Sequence, residues 1–124
     1  MSESTNELGH TLYIGRATSM LIILSLIAQD KEHSGYSLIK KIKEISKEKL
    51  SFRVGTIYSH IERLCDQGLL TQHIRDISSR ERVIRQKSVY SLTSKGMEVL
   101  EQMRQRWEDT QGIIREIIQK EEKR

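Results

Sequence analysis

The chain has 124 residues, 36% of them hydrophobic and 31% charged, with a formal charge of +4 at pH 7. That length and balance fit one globular domain around a modest core and exclude a disordered or fibrous chain. The mild positive charge is compatible with an acidic partner such as nucleic acid but is weak evidence alone. A single cysteine, Cys65, excludes an internal disulfide and a cysteine-based zinc site, so the expected location is cytoplasmic.

In chain order, residues 1–13 begin with a polar, aperiodic stretch expected to be a flexible N-terminal tail. The most apolar run, Met20 to Ala28, is too short to span a bilayer, which needs about 20 apolar residues. The stretch before it carries Glu3, Glu7 and one basic residue, Arg16, unlike the cationic start of a signal peptide. The expectation is a buried helix starting near Gly15 or Arg16, at the centre of the fold, with no membrane partner. QDKEHSG follows as a connector, and Ser34 stands where a helix N-cap belongs.

From Tyr36 to about Ser46, apolar residues fall at Leu38, Ile39, Ile42 and Ile45, the spacing of a helix with one buried face. Lys40, Lys41 and Lys43 occupy its other side, as a solvated face or as phosphate contacts. After the connector KEKLSF comes GTIYSHIERLCDQGLL, residues 55 to 70. Ile57, Ile61 and Leu64 mark the buried face of a helix, while Thr56, Ser59, His60 and Arg63 face outward. Its end is expected at Gly68, glycine being the usual residue for the left-handed position past a helix. Two such helices joined by a brief turn form a helix-turn-helix pattern.

LLTQHIRDI and VIRQKSVYSL flank the polar SSRER and read as a two-stranded hairpin with a long tip. Arg75, Arg80, Arg82, Arg85 and Lys87 outnumber Asp76 and Glu81 there, so the hairpin is basic. Thr93 or Ser94 then caps a last helix, over 94–120, in which Leu100, Met103, Trp107, Thr110, Ile114 and Ile117 recur at gaps of 3 and 4. That is a coiled-coil seam, longer than the domain over 14–93 can cover, and it predicts a homodimer. Gly112 weakens this helix by about 1 kcal/mol relative to alanine and is a candidate bend.

The resulting fold class is mainly α with a small β-hairpin: a winged helix-turn-helix with a long C-terminal dimerisation helix. At this point the sequence resembles the PadR family of transcriptional regulators. The resemblance rests on SGYSLIKKI at 34 to 42, GTIYSHIERLCDQGLL at 55 to 70 and VYSLTSKG at 89 to 96, and extends over about residues 14 to 118. It implies a homodimeric repressor on a palindromic operator in double-stranded DNA, released by a small molecule or a stress signal. One departure is Arg53, where the family often has a Ser or Asn cap. Either Ser51 starts the helix earlier, or the cap is missing and Arg53 faces phosphate.

An α-helix fits the major groove, where base edges differ, so the second helix of the motif is the expected reader. The residues assigned to DNA are Ser34, Tyr36, Lys40, Arg53, Thr56, Tyr58, Ser59, His60, Arg63, Arg80, Arg82, Arg85 and Lys87. Tyr58 sits at the edge of the reading stripe, able to pack its ring and give its hydroxyl to a phosphate. The competing function is a winged-helix protein–protein adaptor without sequence-specific DNA binding. His60, Cys65 and Asp66 do not make a convincing metal site, and no cofactor is expected. With no phosphate-binding glycine loop and no catalytic constellation, an enzyme is not expected. Trp107, the only tryptophan, could meet its copy across a dimer axis and hold a small aromatic effector, although interface packing is the commoner use of such a residue.

Overall fold

A computed structural model describes residues 14–78 and 84–122. The element order is α1 (Arg16–Asp30), α2 (Gly35–Ile45), α3 (Val54–Asp66), β1 (Leu70–Ser78), β2 (Ile84–Leu92) and α4 (Ser94–Glu122). The core is built where the apolar spacing placed it. Ile23, Leu24 and Ile27 of α1 meet Leu38 and Ile42 of α2 and Ile57, Ile61 and Leu64 of α3, all essentially without solvent contact. Burying each such side chain is worth about 1.5–3 kcal/mol. The apolar run therefore lies at the centre of the domain, and no described helix is long and apolar enough to cross a membrane.

The helix ends have identifiable chemistry. Ser34 caps α2 by accepting the Ser37 N–H at 3.1 Å, while the Ser37 hydroxyl accepts the Ser34 N–H at 2.9 Å. This reciprocal box satisfies two donors that the helix itself leaves unpaired. At α3 the cap is missing: the helix starts at Val54, with Arg53 in extended backbone and no side-chain cap bond. Of the two alternatives for Arg53, the later start is the one adopted. The other end of α3 closes with Gly68 at φ 76°, its N–H bonded to the Cys65 carbonyl and the Leu69 N–H to the Leu64 carbonyl, both at 2.9 Å. That pairing is the left-handed glycine stop expected there.

β1 and β2 form an antiparallel hairpin in register from Leu70↔Leu92 to Ser78↔Ile84. Its root is buried through Leu70, Val89 and Tyr90, while the described side chains at 71–76 and 85–87 are exposed, so the outer half stands clear as a wing. Gln72 to Ser88 (2.7 Å) and His73 to Ser91 (2.9 Å) add side-chain bonds across the strands. The connector QDKEHSG is more structured than expected. α1 runs on to Asp30, and His33 pairs with Tyr90 as a one-residue third strand.

Thr93 caps α4, its hydroxyl accepting the Gly96 N–H at 2.9 Å and donating to the Gly68 carbonyl at 2.6 Å. α4 then runs through Gly112 without interruption. Leu100, placed on the dimer seam from spacing, is instead 1% exposed and belongs to the chain's own core, with Val99 and Met103 packed at its edge. A seven-residue periodicity does not distinguish an intramolecular from an intermolecular partner, and here the first turns of α4 meet α1. Beyond them Trp107, Ile113, Ile114, Ile117 and Ile118 are all exposed. Lys41 is a second correction: it turns from the lysine face toward Asp30, with Nζ 3.8 Å from Oδ2.

Candidate nucleic-acid interface

The 3.6-residue period of α3 that buries Ile57, Ile61 and Leu64 turns Thr56, Ser59, His60 and Arg63 the other way. Ser59 and Arg63 are exposed; Thr56 and His60 are half-buried. The His60 ring stands edge-on to the buried Phe52, centroids 6.5 Å apart, which limits where it can point. Arg53 lies exposed at the start of the same helix.

Tyr58 is braced on two sides. Its ring lies directly over Gly35, where a Cβ would overlap it, and it meets Tyr36 edge-on with centroids 6.3 Å apart. Gly35 is thus a close-approach glycine. Between the start of α2, α3 and the wing lies an open groove of about 450 Å³, lined by Ser34, Tyr36, Tyr58, Gln86, Lys87 and Ser88. Hydroxyls, an amide and an ammonium converging on one groove can donate to and neutralise a phosphate. Lys40 and Arg85 are exposed at its borders in sequence, on α2 and β2.

The structure brings Ser34, Tyr36, Tyr58 and Lys87 together, and keeps the outward residues of α3 on one face. Arg80 and Arg82 lie outside the described residues. Arg75, counted among the wing's basic charges, pairs with Glu32 at 2.7 Å while its side chain stays exposed. The Arg75 guanidinium holds the Glu32 carboxyl below its ordinary range. Glu32 and His33 were not singled out from sequence. A single bridging residue has no periodicity to detect, and the polar QDKEHSG gives only a connector signal.

Other candidates fare differently. Burial pushes the Cys65 thiol up, helped by Asp66 and Glu62, so the sulfur stays protonated and a poor nucleophile. Among the described residues no group of three or more His, Cys, Asp or Glu side chains is placed to hold a metal. Trp107 borders a cavity of about 280 Å³ between α1 and α4, with Ala17, Thr18, Leu21, Met103 and Arg106 on its walls. Arg106 places a charge there that the seam spacing did not anticipate.

No curated protein matches the chain. Among solved structures, a transcriptional regulator from Clostridium thermocellum is 25% identical with a TM-score of 0.70, covering 82% of this chain and 93% of that one. A PadR-like transcriptional regulator from Bacillus cereus is 26% identical with a TM-score of 0.66, over 84% and 94% of the two chains. Bacillus subtilis PadR, solved in complex with operator DNA, is 26% identical with a TM-score of 0.58, over 68% of this chain and 45% of that one. Residues 23–102, which run from the core of α1 to the first turns of α4, match the transcriptional regulator PadR-like family, and the chain belongs to that family.

Proposed function

We propose that this regulator binds double-stranded DNA sequence-specifically as a homodimer on a palindromic operator, and that it represses. The observation that carries the proposal is the continuity of the α3 outward face with the groove of Ser34, Tyr36, Tyr58 and Lys87. α3 enters the major groove, where Thr56, Ser59, His60 and Arg63 reach base edges. The adjacent groove seats the DNA backbone on Tyr36, Tyr58 and Lys87, with Lys40, Arg53 and Arg85 adding phosphate contacts. The wing, including Arg80 and Arg82, follows the neighbouring backbone or minor groove. The solved relative bound to operator DNA supports this assignment.

Dimerisation is assigned to Trp107, Thr110, Ile114 and Ile117 of α4. Four exposed isoleucines and an exposed tryptophan on one helix are an apolar surface that a second copy would cover. A two-fold pairing would set two α3 helices about one DNA turn, ~34 Å, apart. Trp107 packs in that interface, and the cavity beside it is the place assigned to a small aromatic effector.

The test replaces Tyr58, Ser59, His60 and Arg63 together by alanine in the full chain. Binding to a duplex selected by the wild-type protein from a randomised pool should be lost while the circular-dichroism melt stays cooperative. A folded quadruple variant that bound this duplex at full strength would refute the assignment of α3.

A further inference from the structure

Four residues of α3 stand directly opposite its buried line. Ile57, Ile61 and Leu64 face the core, and at about 3.6 residues per turn the far side is Gly55, Ser59, Glu62 and Asp66. All four are exposed, whereas Thr56 and His60 lie on a flank and are half-buried. A carboxylate, Glu62, thus occupies the middle of the face assigned to base edges.

Neither Gly55 nor Glu62 serves the fold of the chain itself. A Cβ on Gly55 would meet nothing within 4 Å, and its backbone is not in the left-handed region. A glycine inside a helix is destabilising relative to alanine, so the fold alone would favour a side chain here. Among the described residues Glu62 has no hydrogen-bond or ion-pair partner. Asp66 follows one turn later, and like charges at that spacing weaken a helix.

Tyr58 and Tyr90 form a wall shared by two grooves of opposite character. On one side Tyr36 and Lys87 can hold and neutralise a phosphate. On the other, between α3 and β1, an open groove of about 530 Å³ holds Gly55, Ser59, Glu62, Asp66 and Gln72. Among the described residues no lysine or arginine lines it. Gln72 stands across from Glu62 with its amide donating to Ser88 at 2.7 Å, while Arg75 lies on the other face of β1 and pairs with Glu32.

A phosphate would meet only negative charge in this second groove and be repelled. What can lie against Glu62 is a base edge, and a carboxylate only accepts hydrogen bonds. Guanine presents acceptors at N7 and O6, and thymine an acceptor and a methyl group, so both leave the carboxylate unpaired. Adenine presents a donor, N6, but between two acceptors, its own N7 and the thymine O4. Cytosine presents its N4 amino group with an acceptor on one side only.

We propose that Glu62 is a specificity-determining residue, which accepts a hydrogen bond from the N4 amino group of a cytosine in the major groove. Gly55 stays bare so that the duplex can close on this side of α3. The proposal rests on the DNA-binding function above and extends it to one base of the operator. Glu62 contributes discrimination more than affinity: any other base leaves a desolvated carboxylate without a donor.

The experiment selects duplexes from one randomised pool with the full-length wild type, Glu62→Gln, Glu62→Ala and Gly55→Ala, each first shown to melt cooperatively. The wild type should prefer cytosine at one position of each half-site by about tenfold, the scale of a single base-edge contact. Glutamine keeps the shape but both donates and accepts, as adenine N6 and N7 require. Glu62→Gln should therefore move the preference at that position alone from cytosine to adenine. Glu62→Ala should accept all four bases there and bind unrelated duplex at least as well as the wild type, since a charge repelled by phosphate is gone. Gly55→Ala should melt no lower than the wild type yet bind the selected duplex more weakly. A Glu62→Gln protein that selects the wild-type sequence would overturn the proposal. So would a Glu62→Ala protein that is weaker on all duplexes alike with its base preferences intact, or one that loses a preference for a base other than cytosine. Gly55→Ala at full affinity would overturn the close approach. A wild type that selects no duplex would instead refute DNA binding itself, whereas a defined sequence indifferent to residue 62 refutes the role of Glu62 alone.

Discussion

Tyr58 stands where it does because position 35 has no side chain. A methyl group there would overlap the phenol ring, so Gly35→Ala must drive Tyr58 out of the groove. Gly35 is buried at the first position of α2 and Tyr58 packs against the core, so some stability should be lost together with DNA affinity. A thermal melt and a binding titration on the same sample check both halves. Arg63 and Lys40 test the division between reading and holding. Arg63→Ala should cost roughly 1–3 kcal/mol at one base pair and relax the preference there. Lys40→Ala should weaken all duplexes alike and flatten the salt dependence by about one unit. Selection on randomised duplexes separates the two patterns. Leu100 belongs to neither class: Leu100→Ala should destabilise the domain by about 2–5 kcal/mol in chemical denaturation, as a core deletion does.

The wing is tied down by two links to the α1–α2 connector, the His33–Tyr90 bridge and the Glu32–Arg75 pair. Because Arg75 lowers the Glu32 carboxyl, that tie is present above the ordinary carboxylate range and is lost as pH falls through the lowered value. Acidification should therefore speed amide exchange in β1 before the helices respond, and Glu32→Gln should give the same exchange at neutral pH. The four helices and the hairpin were legible from sequence because each carries a periodic apolar pattern or a turn signal. Ser34 and Gly68 marked their helix ends for the same local reasons. What escaped was non-local. Nothing in the spacing of Leu100 says that its partner is α1 of the same chain. The roles of Glu32 and His33 depend on contacts to residues more than forty positions away, with Arg75 and Tyr90. Lys41 left the lysine face for Asp30 through a tertiary contact of the same kind.

For the whole molecule, the central question is what covers the distal half of α4. Ile114 and Ile117 are 44% and 58% exposed, so charging them leaves the fold of one chain undisturbed. The double variant Ile114→Lys, Ile117→Lys should sediment as a monomer with an unchanged core and lose cooperative binding to a palindrome; a variant still dimeric would place the interface elsewhere. Trp107 reports on the same surface. Flat aromatic compounds that enter the cavity beside it should quench its fluorescence and weaken DNA binding, whereas a purely structural indole would answer to dimerisation alone. The most direct test of DNA recognition compares the affinity of the wild-type chain for its selected palindrome and for unrelated duplex over a range of salt concentrations. The expected result is a preference of at least about 10³ for the palindrome and a logarithmic salt slope of about −0.9 per phosphate neutralised. Equal, weak and salt-insensitive binding to both duplexes would contradict it and leave the winged helix as a protein-binding module.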